Sequence, residues 1–240
     1  MTFAGPMEFS GVFTFFIVVI SSSYLEAADY CNISSCTDKS SHTLCKFINS
    51  GPAGKCLAGG NLGGAITASD KNLIVKRHNQ LRRRVANGQE TEGSPGPQPA
   101  ARSMPHLQWD DELAMIAQRW ADQCDYGHDT CRNVDRYQVG QNIAKMLITG
   151  DTSDLSLQSM VDMWYDEVKD YNSKDVGSFN GLYASNGEQI GDYTQFVWAK
   201  TTRIGCGARK FAKGDKNYYY VVCNYGPAGN FLGQSVYETR

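Results

Sequence analysis

The chain of 240 residues lacks any excess of positive charge and, after its N-terminus, any long hydrophobic run. Its formal net charge is −2 at pH 7, whereas a domain that binds nucleic acid usually presents a strongly basic face. No segment after residue 28 has the roughly 20 consecutive apolar residues that a transmembrane helix needs. The sequence therefore predicts no nucleic-acid partner and no membrane span.

The common catalytic signatures are also missing from the sequence. It contains no G-x-S-x-G nucleophile elbow, no phosphate-binding G-x-x-x-x-G-K, no H-E-x-x-H zinc helix and no C-x-x-C pair. The cysteines do not form the close pairs of a zinc ribbon either, which favours disulfides over metal binding. Because all eight cysteines can pair, no thiol is expected to act as a nucleophile.

The first 28 residues have the pattern of a cleaved secretory signal. An apolar run at 12–20 is too short to span a bilayer, and small and polar residues follow it up to Ala28. Cleavage there removes Glu8 and Glu26 but no basic residue, so the remaining chain is formally neutral. We therefore expect a secreted, extracellular protein, and disulfides persist in that environment.

The rest of the chain is predicted to form a cysteine-rich N-terminal segment, residues 29–67, followed by a main domain, residues 68–240. The N-terminal segment shows little apolar periodicity, and a loop of this length must be tied down by bonds. Its only N-glycosylation sequon, which is also the only one in the chain, begins at Asn32. Four cysteines lie in this segment, namely Cys31, Cys36, Cys45 and Cys56.

Apolar periodicity predicts three helices in the main domain, within 74–88, 110–124 and 157–168. Strand-like stretches lie between and after them, at 137–146, 193–199, 204–211 and 218–225. The last two flank a hairpin-type turn. Because helices and strands do not alternate regularly, the pattern favours an α+β or layered α-β-α domain over a Rossmann-type sheet.

Several motifs resemble the superfamily of cysteine-rich secretory proteins, antigen 5 and pathogenesis-related 1 proteins. Residues 220–231, Tyr-Val-Val-Cys-Asn-Tyr-Gly-Pro-Ala-Gly-Asn-Phe, look like its second signature. Residues 191–198, Gly-Asp-Tyr-Thr-Gln-Phe-Val-Trp, resemble its first. The dense N-terminal cysteines and the spacing from Cys124 to Cys131 narrow the resemblance to the insect antigen 5 branch, the venom-allergen-like proteins.

The resemblance implies a fold and a disulfide pattern. The fold is a disulfide-linked three-layer α-β-α sandwich with a central antiparallel sheet. Spacing alone cannot choose among the connectivities of eight cysteines. The pairs that the resemblance implies are Cys31–Cys45, Cys36–Cys131, Cys56–Cys124 and Cys206–Cys223.

The resemblance also implies a central cleft, where many members carry two histidines and two glutamates able to hold a divalent metal. The matching positions here are His128, Gln141, Glu167 and Asp192. Gln141 replaces a carboxylate and Asp192 replaces the histidine of the first signature. One imidazole and two carboxylates are a poor set for zinc and would suit magnesium, calcium or manganese better. We therefore expect no cofactor, with a weakly held divalent metal as the alternative.

The favoured interpretation of these four groups is structural, because buried polar side chains need hydrogen-bond partners. Binding of a metal or another ligand is the second interpretation, and hydrolysis is the third. Two carboxylates in one cleft, Glu167 and Asp192, would repel each other and raise a carboxyl pKa. No nucleophile is evident beside them in the sequence.

Three other features are predicted to be structural. His78 lies on the core-facing stripe of the first helix and is expected to be a packed, hydrogen-bonded histidine. The run at 82–84, three arginines, is interpreted as a solvated helix flank. Alternation along a strand places Tyr219 on the opposite face of the sheet from Tyr218 and Tyr220, under separate helical layers.

The resemblance predicts a secreted, non-enzymatic protein of venom or saliva that is allergenic through exposure and is expected to be a monomer. Its partner would be a small lipid or sterol in an apolar groove, or a host protein. The alternative is a metal-dependent secreted hydrolase that uses the central cleft. Ion-channel modulation, attributed to members with a further cysteine-rich domain, is not expected of a chain that stops at Arg240.

Overall fold

The computed structural model describes Met1 and residues 29–60, 62–148 and 156–240. Apart from Met1, the predicted signal segment lies outside the described residues. Helices in the described part of the chain are α1 (Thr43–Lys46), α2 (Gly54–Leu57), α3 (Ala68–Ala86), α4 (Asp111–Ala121), α5 (Leu157–Asp166) and α6 (Gly191–Phe196). The strands are β1 (Gln108–Trp109), β2 (Gly140–Ile148), β3 (Arg203–Lys213) and β4 (Lys216–Gly226). Within those ranges no helix is both long enough and apolar enough to cross a membrane.

The four strands form one sheet in the order β1-β3-β4-β2. A two-residue turn at Gly214 and Asp215 joins β3 to β4, and Gly214 has the positive φ that such turns favour. β2 pairs antiparallel with β4 along its whole length. β1 pairs in parallel with β3 over two residues, so the expected antiparallel sheet carries one short parallel strand at its edge.

The predicted strand at 193–199 is wrong, because most of this stretch lies in the short helix α6. The residues from Tyr193 to Trp198 are all buried. Because both its apolar residues and its polar residues Thr194 and Gln195 are buried, the run shows neither the helical nor the strand period, and the sequence pattern could not distinguish the two structures.

Helix α4 lies directly on β3 because two glycines of the strand face it. A Cβ atom on Gly207 would lie 2.2 Å from the Cα atom of Gln118. A Cβ atom on Gly205 would lie 2.2 Å from the backbone nitrogen of Ala114. No side chain therefore separates the strand from the helix at these two positions, and α4 forms one outer layer of a sandwich.

The other face of the sheet is covered by α3, α5 and α6, which share the main hydrophobic core. Tyr219 packs into this core, whereas Tyr220 packs on the α4 side with Ala117 and Ala121. The predicted alternation of the tyrosines is thus confirmed. The fold is an α+β sandwich with helical layers on both faces of the sheet.

The N-terminal segment is attached to the main domain by covalent and hydrogen bonds. Its main chain donates from Thr43 to the Cys131 carbonyl at 2.9 Å and from Ala53 to the Asp122 carbonyl at 2.8 Å. Asn32 is exposed beside this attachment, and its glycosylation stays a prediction. The disulfides join the same pairs that the resemblance implies, Cys31–Cys45, Cys36–Cys131, Cys56–Cys124 and Cys206–Cys223.

His42 contributes to this attachment in a way that the sequence did not reveal. Its ring is buried and stacks on Tyr30 with centroids 5.0 Å apart. Nε2 donates to the Asn133 carbonyl at 2.9 Å, and Nδ1 accepts from the Leu44 N–H at 3.1 Å. The imidazole therefore caps α1 and binds the loop that follows Cys131. Burial lowers the pKa of His42, which keeps the ring neutral at pH 7.

The interpretation of the three arginines as a solvated flank is wrong for Arg82. Its side chain is only 1% exposed, while Arg83 and Arg84 are exposed. Arg82 lies four residues after the buried His78 and eight after Ile74, so its position on the apolar stripe outweighs its charge. Burial lowers the pKa of Arg82 to about 9, which still leaves the guanidinium charged at neutral pH.

Main-chain carbonyls surround this guanidinium. Nη1 donates to the carbonyls of Phe196 at 2.9 Å and Trp198 at 3.0 Å. Nη2 donates to the carbonyls of Pro105 at 2.9 Å and Thr201 at 3.3 Å. Arg82 thereby connects α3 to the end of α6, to the segment after it and to the segment before β1.

We expect Arg82→Lys to lower the free energy of unfolding by about 2–4 kcal/mol, because buried hydrogen bonds to a charged group are costly to lose. A lysine ammonium has three donors at one point and cannot reach four carbonyls arranged around a planar fork. Urea denaturation followed by tryptophan fluorescence measures the loss. Arg83→Lys, at the neighbouring exposed position, should change stability by less than about 0.5 kcal/mol. Equal losses of stability for Arg82→Lys and Arg83→Lys would contradict the role of Arg82 as a buried hydrogen-bond donor.

Candidate functional site

The four side chains of the predicted cleft line one cavity of about 80 Å³. His128 lies in the loop after α4, and Gln141 is the second residue of β2. Glu167 begins a 3-10 turn at the end of α5, and Asp192 lies in the first turn of α6. The structure thus brings together residues that are up to 64 positions apart in the sequence. The remaining lining residues are Leu182, Gln189, Gly191 and Asn230.

Glu167 acts as the N-terminal cap of α6. Its Oε2 atom accepts hydrogen bonds from the backbone N–H groups of Asp192 at 2.9 Å and Tyr193 at 3.0 Å. Ile190, at the usual capping position, offers no side-chain acceptor. The first N–H groups of a helix need partners from outside it, and a carboxylate there also interacts favourably with the helix dipole. Glu167 therefore has a structural role that accounts for its presence in the cleft.

Hydrogen bonds at both ends of its side-chain amide hold Gln141 in place. Oε1 accepts from His128 Nδ1 at 2.8 Å. Nε2 donates to Asp129 Oδ1 and to Asn224 Oδ1, both at 3.0 Å. A glutamate here would place a third acceptor against two acceptor oxygens, so the amide is the group that this network requires. Asp129 and Asn224 therefore favour a glutamine over a glutamate at position 141. The sequence did not identify these two partners.

Asp192 is bonded through its main chain but not through its carboxylate. Its carbonyl accepts from Asn142 Nδ2 at 3.0 Å. Within the described ranges, no donor contacts either carboxylate oxygen at hydrogen-bond distance. Burial, and secondarily the charge of Glu167, raises the pKa of Asp192 to about 8. Burial also raises the pKa of Glu167 to about 7, against the lowering effect of its two N–H donors. Both carboxyl groups therefore titrate near neutral pH.

A buried network extends from this cleft into the core. Asn142 Nδ2 donates to the Tyr225 hydroxyl at 3.3 Å, and that hydroxyl donates to His78 Nε2 at 2.9 Å. His78 Nδ1 donates to the Ile74 carbonyl at 2.8 Å. Burial lowers the pKa of His78 to about 3, so the ring is neutral. The expectation of a packed, hydrogen-bonded His78 is confirmed.

The donor set does not fit a zinc site. No group of three or more His, Cys, Asp or Glu side chains is placed to hold a metal ion in the part of the chain that the structure describes. His128 Nδ1 is bonded to Gln141, and Glu167 Oε2 is bonded to two backbone N–H groups. His128 Nδ1 and Glu167 Oε2 are thus engaged in internal hydrogen bonds, whereas the carboxylate of Asp192 has no hydrogen bond to a described residue.

The chain is thus a disulfide-bonded α-β-α sandwich with a polar central cleft. Residues 75–225 match the family model described as CAP, the cysteine-rich secretory protein family, and the chain belongs to this family. It is 47% identical to the venom allergen 3 homolog of Dinoponera quadriceps, over 96% of this chain and 99% of that protein. It is 46% identical to venom allergen 5 of Vespula maculifrons, over 98% of this chain and 100% of that protein.

Solved structures agree with this assignment. The crystal structure of NaASP2 with Zn²⁺ has a TM-score of 0.63 and 30% identity, over 75% of this chain and 91% of that one. The structure of BmVAL-1 has a TM-score of 0.62 and 26% identity, over 75% of this chain and 87% of that one. The resemblance to the antigen 5 superfamily is therefore confirmed.

Because the pKa values of Asp192 and Glu167 are raised, the free energy of unfolding should depend on pH. Asp192→Asn should weaken that dependence. Between about pH 4 and pH 8 the folded state holds protons that the unfolded chain has released, so stability falls as the pH rises. At pH 9 the variant should be more stable than the original by about 1–2 kcal/mol, because an uncompensated buried charge is removed. Urea denaturation at pH 5, 7 and 9 measures this.

Asp215→Asn, in the exposed hairpin turn, is the matched control and should leave the pH profile unchanged. A profile for Asp192→Asn that is parallel to that of the original protein would contradict the assignment of the titration to the cleft.

Asp192→His tests whether the cleft side chains converge on one point. It restores the second histidine of the family pattern beside His128 and Glu167, so zinc affinity should rise by about tenfold or more. Isothermal titration with zinc measures the change, and Asp192→Asn serves as a control that adds no ligand. Equal affinities for the two variants would show that position 192 does not face the other groups.

Proposed function

We propose that the chain is a secreted, non-catalytic protein of the venom allergen type that binds a small lipid or sterol. The observation that carries the lipid proposal is a cavity of about 480 Å³ outside the central cleft. This volume lies within the range of sites for small ligands. The lining residues are Ser103, Pro105, Ala199, Lys200, Thr202, Ser235, Tyr237 and Glu238.

Three segments that the fold holds firmly form this cavity. Ala199 N–H donates to the Val236 carbonyl at 2.8 Å, which joins the segment after α6 to the C-terminal segment. The carbonyl of Pro105 accepts from the buried Arg82. Pro105 and Ala199 supply apolar surface, and Lys200 and Glu238 supply charged groups. A ligand with an apolar body and a polar end suits this combination.

Secretion is supported by two independent features. The four disulfides of the structure are bonds that persist in extracellular environments. The N-terminal apolar run has the length of a signal sequence. The relatives at 46–47% identity carry the names venom allergen 3 and venom allergen 5, which supports release in a venom or a similar secretion.

The absence of catalysis is supported by the lining of the central cleft. Serine, threonine and cysteine, the usual nucleophiles, are missing from the residues that line it. Glu167 is occupied as a helix cap, and His128 is held by Gln141. Cleavage of peptides or esters by the purified protein, abolished by Glu167→Ala, would contradict this proposal.

Lipid binding is tested on protein secreted from insect cells. We expect organic extraction and mass spectrometry to recover a lipid, and the delipidated protein to bind an added sterol or fatty acid with micromolar affinity or better. Ser103→Trp should reduce that affinity about tenfold or more, because Ser103 lines the cavity and its side chain makes no hydrogen bond to a residue that the structure describes.

His106→Trp, at an exposed position of the same segment that does not line the cavity, is the matched control. Recovery of no lipid, together with no binding of added sterol or fatty acid, would overturn the lipid proposal. Equal effects of both tryptophan variants would place the ligand elsewhere.

A further inference from the structure

Next to the 480 Å³ cavity lies a cluster of buried tyrosines, of which only Tyr237 also lines that cavity. Tyr193 of α6 is in ring contact with Tyr171 at 5.4 Å and with Tyr165 at 5.6 Å between centroids. Tyr237, from the C-terminal segment, joins them in the same core. Tyr171 and Tyr193 have no measurable exposure, and Tyr237 is 1% exposed.

The hydroxyl groups of three of these tyrosines have no hydrogen-bond partner among the described residues. They belong to Tyr171, Tyr193 and Tyr237, and their oxygen atoms are buried. An unpaired hydroxyl in a protein interior costs roughly 1–3 kcal/mol, so three such groups in one place require an explanation. The usual explanation is an occupant that supplies the missing bonds.

The electrostatics indicate that the three hydroxyls lie near one another and near a carboxylate. Burial, and then the neighbouring hydroxyl of Tyr237, raises the pKa of both Tyr193 and Tyr171. The carboxylate of Glu90 also contributes to the raised pKa values of Tyr193 and Tyr237. Each of these hydroxyls therefore lies within the range of a Coulomb interaction with another of them.

The charge of Glu90 is already balanced within the fold. Its carboxylate lies 3.1 Å from Arg84 Nε and accepts from the Glu92 N–H at 2.9 Å. It also accepts from the hydroxyl of Tyr165 at 2.5 Å. An additional cation is therefore not needed for neutrality. The occupant must be neutral and must both accept and donate hydrogen bonds, because each phenol can do either.

We propose that the hydroxyls of Tyr171, Tyr193 and Tyr237 bind internal water. Buried water in proteins makes about three hydrogen bonds to polar groups that would otherwise be unsatisfied, which matches three phenols. The water connects Tyr193 of α6, Tyr171 just after the 3-10 turn that follows α5, and Tyr237 of the C-terminal segment. Because Tyr237 also lines the lipid cavity, the water supports one wall of that cavity from behind.

Removal of each hydroxyl distinguishes bound water from an unfilled site. If water is bound, Tyr171→Phe, Tyr193→Phe and Tyr237→Phe should each lower Tm by about 2–4 °C, because each removes a hydrogen bond. Without an occupant, the same variants would leave Tm unchanged or raise it. Tyr183→Phe, at an exposed position 60% accessible to solvent, is the matched control and should not change Tm.

Oxygen-17 relaxation dispersion and a high-resolution crystal structure identify the occupant directly. We expect the original protein to hold at least one more long-lived internal water than Tyr193→Phe, with density within hydrogen-bond distance of the three phenol oxygens. Equal water counts in the two proteins would overturn the proposal. So would density for an ion, or direct hydrogen bonds between the hydroxyls. None of these outcomes depends on whether the cavity binds lipid.

Discussion

The helical layer formed by α3, α5 and α6 depends on the buried guanidinium of Arg82. A charged group without a carboxylate partner is tolerated in a protein interior only when its donors meet acceptors. Four main-chain carbonyls accept from Nη1 and Nη2. That of Phe196 ends α6, and the other three belong to the segments before β1 and after α6. The same two segments supply Pro105 and Ala199 to the 480 Å³ cavity. The shape of that cavity therefore rests on a buried charge as well as on apolar packing.

The central cleft shows how a family site changes when its ligands are replaced. Gln141 bonds β2 to Asp129 of the loop after α4 and to Asn224 of β4, and Glu167 joins the end of α5 to the start of α6. Of the four side chains His128, Gln141, Glu167 and Asp192, only that of Asp192 has no hydrogen bond to a described residue, and its burial and the nearby charge of Glu167 raise its pKa. The side chains of His128, Gln141 and Glu167 therefore take part in hydrogen bonds within the fold.

Periodicity in the sequence predicted the three long helices, because each has one buried and one exposed face. The turn residues between two apolar stretches predicted the β3–β4 hairpin, and the two-residue period of a strand predicted the alternation of its tyrosines. It failed at α6, which is buried on every side, and at Arg82, whose charge concealed its position on the apolar stripe. The residues of the cleft came from the family resemblance. Their partners, such as Asp129 opposite Gln141, come from distant strands and loops and could not be predicted from spacing.

The cap of α6 has a consequence for how antibodies recognise this region. A helix of six residues has no stability of its own in water, and here its first N–H groups depend on a carboxylate from the end of another helix. A synthetic peptide covering residues 191–196 lacks that carboxylate and does not reproduce the folded surface. Only Gly191 and Asp192 of this helix are partly exposed, so an antibody would meet the helix only at these two residues and only in the folded protein.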